Sequence, residues 1–310
     1  KMNSILRLWV WALLALMLAF LVNNAFMLSA YAETHIFGLS SLSAFAVIFL
    51  AAATVITYVR SSLSFRSDAN LLHSINCYLV RAIFFSVLFV GIADVVIAFI
   101  RVEGVLIGFL GEETFKLIKK PLFVGPNIHL PIIGCSFILA AFTRTLGFHW
   151  LALLIVLAEL LIVICRFVFS YEQAFMGDLV RYWYAALFLI SSAYTLYDGG
   201  HVRVDVLYSG FSRYKKARAD LSGAFLLGIS TCWAILIVGF NGKQSLINMP
   251  VLNFEVSQAA IVGMFIKYQM AAFLGVFAIT MMIQFLSSML DNWANLTDEP
   301  GARDTSANLH

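Results

Sequence analysis

Four ionisable residues interrupt otherwise apolar stretches: Arg81, Asp94, Glu159 and Arg166. At the centre of a lipid-embedded helix such a group costs about 2.5–3.5 kcal/mol, so it must pair, snorkel or serve a transport path. Glu159 and Arg166 are seven residues apart and share one helix face. At 1.5 Å per residue they are roughly 10 Å apart along the axis, too far to bond each other. Asp94 and Arg166 fall toward the same end of their helices and are expected to pair. The competing expectation for Arg81 and Arg166 is that they snorkel to the headgroups. Glu159 is expected to make a structural polar contact to another helix, not to relay protons, because no second carboxylate or histidine shares its depth and face.

A second constellation is "YDGGHVRVDVLY", Tyr197 to Tyr208, which follows an apolar run and precedes Arg213, Lys215, Lys216 and Arg218. Histidine and aspartate together raise metal binding or proton sensing. The spacing fits a plainer role. Gly199 and Gly200 release a helix end through left-handed backbone. His201 and Arg203 then meet its unpaired carbonyls and negative dipole end. Asp198 and Asp205 are expected to form local ion pairs. The alternation "VRVDVLY" lays Val202, Val204, Val206 and Leu207 on lipid, and the basic residues beyond follow an anionic leaflet. The segment reads as an interfacial elbow.

The elements that must hold these residues follow from composition. Of 310 residues, 62% are hydrophobic and 12% charged, against about 25% charged in a soluble domain. The solvent is lipid. Apolar runs at 8–31, 37–59, 76–100, 128–145, 148–170, 178–198, 221–241 and 263–290 match the roughly 20 residues that cross a bilayer. The fold class expected is an all-α integral membrane protein with about eight transmembrane helices plus interfacial amphipathic helices. Residues 104–120 are too short and charged to cross. Leu106, Phe109, Phe115 and Ile118 beside Glu112, Glu113, Lys116 and Lys119 suggest a helix lying in the interface. The first run, after Lys1 and Arg7, has features of a signal peptide. Its length and the similar runs behind it favour a retained helix. From about Asp291 the chain is polar and is expected to be disordered.

Lysine and arginine placement favours both termini inside, with Lys1, Arg7, Arg60, Arg66, Arg144 and the 203–218 group on the cytoplasmic side. Trp9, Trp11, Trp150, Trp183 and Trp293 are expected in the interfacial aromatic belt, and Trp233 in packing. Cys77, Cys135, Cys165 and Cys232 are scattered without metal or disulfide spacing. The net charge of +3 and the lack of a basic amphipathic block do not indicate nucleic acid. There is no GxxxxGK[ST], HExxH or GxSxG. His35, His73, His129, His149 and His201 are too dispersed for an enzyme acting on lipids or quinones.

The C-terminal half resembles a known family. "RFVF" (Arg166 to Phe169) ends one helix, Asp178 and Arg181 open the next, and "LFLISSAYTL" leads to His201–Asp205, "HVRVD". This order is similar to that of the small membrane subunit (Q-type, DctQ-like) of tripartite ATP-independent periplasmic transporters, the TRAP transporters. The resemblance spans about residues 147–290. Asp178 stands where the family more often has glutamate, and the last helix lacks the family's usual proline. Residues 1–146 have no counterpart in the common four-helix form and look like an additional membrane domain of about four helices.

The resemblance implies a non-catalytic scaffold in the bacterial inner membrane, N-in and C-in. It would brace the stationary part of a large elevator-type M subunit fed by a periplasmic substrate-binding protein. It implies no cofactor in this chain, sodium being bound on the partner M subunit. Arg166, Asp178, Arg181, His201, Arg203 and Asp205 would face the partner or the membrane. The substrate, an organic anion, is left open among carboxylates, sulfonates and sugar acids. The alternative is a stand-alone permease with Asp94, Glu159 and Arg166 lining its path; no internal repeat supports it.

Overall fold

A computed structural model describes residues 2–30, 39–105, 108, 111–145, 147–199, 208, 210–256 and 262–302. Among these the regular structure is helical, with no strand. Lipid offers nothing to bond an open amide or carbonyl, so apolar runs of this length close their hydrogen bonds within themselves. The helices are α1 (Met2–Ala30), α2 (Leu39–Val59), α3 (Phe65–Glu103), α4 (Glu112–Ile118), α5 (Pro121–Phe142), α6 (Phe148–Val168), α7 (Ala174–Asp198), α8 (Arg213–Gly239), α9 (Asn248–Leu252) and α10 (Lys267–Leu296).

Seven of the described helices are long and apolar enough to cross a membrane: α1, α2, α3, α5, α6, α8 and α10. α7 has 25 residues, enough for about 38 Å at 1.5 Å each, but Asp178, Arg181, Asp198 and its tyrosines make it more polar. Among the described residues, each of the eight apolar runs is carried mainly by one helix. α3 is longer than its run, with 39 residues, or about 58 Å. α10 continues through Asp291 to Leu296, so the stretch expected to be disordered begins inside a helix. Residues 303–310 lie outside the described part. Of the amphipathic stretch, α4 is present, with Phe115 and Ile118 buried and Glu112 and Glu113 at its N-terminal turn.

The chain forms two compact units, each combining residues from before and after position 146. One comprises 1–76, 193–245 and 278–310. Within it Trp9 meets Phe225 edge-on at 5.0 Å and Phe20 meets Trp233 at 5.9 Å. α8 contains a π-helical turn, Ala224–Ile229. A Cβ on Gly228 would lie 2.8 Å from the Phe285 ring, so only glycine permits that approach.

The other unit comprises 77–192 and 246–277. Its core takes Val80, Phe84, Val87 and Val90 from α3, Leu151 from α6, and Phe175, Leu179, Tyr182, Trp183, Ala186 and Ile190 from α7. The α7 positions recur at the three- and four-residue steps of a single buried helix face. Trp183, expected in the aromatic belt, is buried instead, and its indole N–H donates to the Val87 carbonyl at 3.3 Å. It rests on Gly91, where an added Cβ would come within 2.4 Å of the indole nitrogen. Trp11 is buried too, whereas Trp9 and Trp150 are exposed.

Candidate functional site

Within the second unit, the segment Gly263–Ile266 leads into α10, and Met264, Phe265 and Ile266 are buried. Residues ahead of a helix carry peptide groups with no helical partner. Here charged side chains supply partners. Asp178, on the first turns of α7, accepts the Met264 amide at 3.1 Å. Asp94 on α3 accepts the Phe265 amide at 2.6 Å. Arg101, two turns beyond Asp94, donates to the Gly263 carbonyl, and its guanidinium lies 3.8 Å from the centroid of the Phe265 ring. Two carboxylates and one guanidinium thus hold three successive residues. Charge-assisted bonds of this kind are roughly twice as strong as neutral ones.

Asp94 is fully buried, and so is His129, whose Nε2 lies 3.3 Å from Asp94 Oδ1. The contact is electrostatic: neither atom has the alignment of a hydrogen bond. On its other side His129 Nδ1 is 2.9 Å from the Tyr268 hydroxyl. The Gln269 amide donates to that hydroxyl at 2.9 Å, and the Tyr182 hydroxyl donates to the Gln269 carbonyl. With the Tyr268 proton directed to Nδ1, every link from Tyr182 to His129 has one donor and one acceptor. A π-helical turn in α5, Gly125–His129, positions the imidazole, and a Cβ on Gly125 would penetrate the Phe254 ring at 2.0 Å.

The other singled-out residues lie elsewhere. Arg81 does not simply snorkel: it donates to the carbonyls of Ala140 at 3.2 Å and Arg144 at 3.4 Å, satisfying the open end of α5. Arg166 does not pair with Asp94. Its Nε is 3.3 Å from Glu172, both side chains being more than half exposed. The two charges have separate partners because Asp94 is consumed by a backbone amide. Tyr171, in the turn after Arg166, donates to Glu103 at 2.7 Å. Burial, and then this carboxylate, push its phenol up to about 12. Arg181 is 76% exposed and 3.8 Å from Asp178. Glu159 is exposed on α6 and, among the described residues, makes no hydrogen bond or ion pair to another helix. Asp94 is thus fully buried, whereas Glu159 and Arg166 are exposed on α6.

α7 ends at Asp198 and Gly199 takes the left-handed φ of 72°. His201, Arg203 and Asp205 lie outside the described residues.

In the first unit, basic residues assigned to the membrane surface are engaged internally. Asp68, fully buried, forms an ion pair with Arg7, whose Nε lies 2.6 Å from Oδ2, and accepts a hydrogen bond from Arg60 at Oδ1. Arg7 further donates to the carbonyls of Arg60 and Leu63 beyond α2. Arg66 contacts Asp291 at 2.8 Å and Asn295 at 2.9 Å. Glu299 accepts the amides of Phe65 and Arg66 at the start of α3.

Arg101, Tyr182, Tyr268 and Gln269 carry no motif that marks them in the sequence, and His129 stands there as one of five dispersed histidines. A histidine between two prolines in "PNIHLP" was the available signal. Residues 153–295 match the family of tripartite ATP-independent periplasmic transporters, DctQ component. No curated protein and no solved structure matches the chain. Over that region, which contains both Asp178 and Met264, the chain is similar to the DctQ component of TRAP transporters.

Proposed function

We propose that the chain is the small, non-catalytic membrane subunit of a sodium-coupled, binding-protein-dependent TRAP transporter for an organic anion. It braces the stationary part of a large elevator-type M subunit. The observation that carries this reading is the DctQ match over residues 153–295. A brace must resist displacement, and the three charged side chains on Gly263–Phe265 tie the start of α10 to α3 and α7. Residues 1–146 are an additional membrane portion that contributes to both compact units, and the chain sits in the bacterial inner membrane with both termini inside. Arg166 and Arg181, both largely exposed, are open to the partner or to headgroups, and His201, Arg203 and Asp205 grip at the inner leaflet. Sodium and substrate sites belong to the M subunit, and a periplasmic binding protein delivers the anion.

Affinity purification of this chain from cells expressing its gene neighbours tests the reading. A much larger multi-helix membrane protein is expected in the eluate. Uptake in liposomes should require that protein, a binding protein and a sodium gradient. Uptake by this chain alone would overturn the scaffold role in favour of a permease.

A further inference from the structure

Glu159 is the twelfth of the 21 residues of α6, so its carboxylate lies at mid-depth of any bilayer that the helix crosses. α6 faces the core through Leu151, Leu154, Ile155 and Ala158. The rest of its surface is uncovered, including Val156, Leu157, Leu160, Leu161 and Val163. Val156, Glu159, Val163 and Arg166 follow one another at three- and four-residue steps and form one stripe. Arg166 has Glu172. Among the described residues, no hydrogen bond or ion pair reaches Glu159.

Exposure alone would say nothing. α2 is as bare as α6, but its exposed residues include Val47, Ile48, Val55 and Val59, which lipid satisfies. On α6 the same bare surface carries a carboxylate where hydrocarbon is least tolerant of one. A second copy of the chain does not solve this. A two-fold contact centred on the stripe would set carboxylate against carboxylate. What fits is apolar surface around a nitrogen donor.

We infer that the Glu159 stripe of α6 is covered by a transmembrane helix of the large partner subunit, which presents a lysine, arginine or amide N–H at mid-depth. This rests on the proposed function, since it needs a large subunit. It adds which helix is covered and by what chemistry.

The test places a photocrosslinking benzophenone side chain at Val156 or Val163, with Ile48 on α2 as control, in cells expressing the complete transporter. Adducts to the large subunit are expected from both α6 positions and not from Ile48. Losing a buried charge partner should lower the adduct yield about tenfold or more in Glu159→Lys, which also sets like charges together. Glu159→Leu, which inserts in lipid at least as readily as the native helix, should lower it too, whereas Glu159→Gln keeps an acceptor and most of the yield. If the large subunit co-purifies but Val156 and Val163 label only lipid or a second copy, the inference falls and the proposed function stands. Yields unchanged in Glu159→Lys and Glu159→Leu also overturn it. If no large subunit co-purifies, the proposed function itself fails.

Discussion

Asp94 and Asp178 belong to different helices, yet their carboxylates accept hydrogen bonds from adjacent amides, Phe265 at 2.6 Å and Met264 at 3.1 Å. Neither carboxylate is organised around a ligand. Both are spent on the backbone entering α10, which converts two costly intramembrane charges into a joint between three helices. A transported ion would have to compete with those amides for the same oxygens.

Removing Asp94 should be severe. Asp94→Ala leaves the Phe265 amide and His129 facing an apolar gap, and an unsatisfied buried donor costs about 1–3 kcal/mol. Asp94→Asn keeps an acceptor for the amide and should lose clearly less. Thermal unfolding in detergent measures the difference; equal losses for the two substitutions would deny the hydrogen bond its role.

Asp178 and Arg181 should separate cleanly. Asp178→Ala removes the acceptor for the Met264 amide, and an unsatisfied buried donor costs about 1–3 kcal/mol. Arg181, 76% exposed, makes only a surface pair, so Arg181→Ala should change stability by less than about 1 kcal/mol. A drop in co-purified partner for Arg181→Ala, at unchanged melting temperature, would mark it as a contact residue.

Gly91 and Trp183 make a reciprocal test. Gly91→Ala drives a methyl to within 2.4 Å of the indole nitrogen, and overpacking of this sort costs about 1–3 kcal/mol. Pairing it with Trp183→Phe should restore part of the loss, which a double-mutant cycle detects as coupling.

Tyr171 sets a pH signature outside the spans. Its folded phenol is pushed up to about 12 by burial and by Glu103, above the usual value near 10. The neutral form is the one favoured by folding, so this contribution is intact below about pH 10 and is lost as the pH rises toward 12. An ultraviolet titration, taken as the difference from Tyr171→Phe, should show one phenol ionising late. Glu103→Gln should bring it down.

The helices were legible because apolar run length and polar punctuation are local properties, and among the described residues each of the eight runs is carried mainly by one helix. The family pattern was legible for the same reason: Arg166, Asp178 and Arg181 sit at short spacing around one turn. The joint was not. Asp94, His129 and Phe265 meet only when α3, α5 and the start of α10 are brought together, and nothing in their spacing says so. Asp94 was expected to take Arg166 because two opposite charges at one depth look complementary. A backbone amide, which carries no sequence signal, took the carboxylate instead. Arg81 shows the same limit, since its partners are the carbonyls ending α5. Likewise, Arg7, Arg60 and Arg66 counted as surface charges for orientation, although Asp68 and Asp291 engage them.

The last turn of the described chain should matter more than its polar composition suggests. Glu299 accepts the first amides of α3 and thus caps its N-terminus, while the Glu299 and Pro300 carbonyls accept Arg66. Loss of a helix cap costs about 0.5–2 kcal/mol, and loss of acceptors for a charged donor about 1.5–3 kcal/mol each. Truncation after Leu296 removes both together and should lower the melting temperature, whereas truncation after Ala302 keeps them and should not. Glu299→Gln retains an acceptor but not the charge that favours a helix N-terminus, so it should fall between. Equal melting temperatures for the two truncations would show that α3 does not depend on this cap.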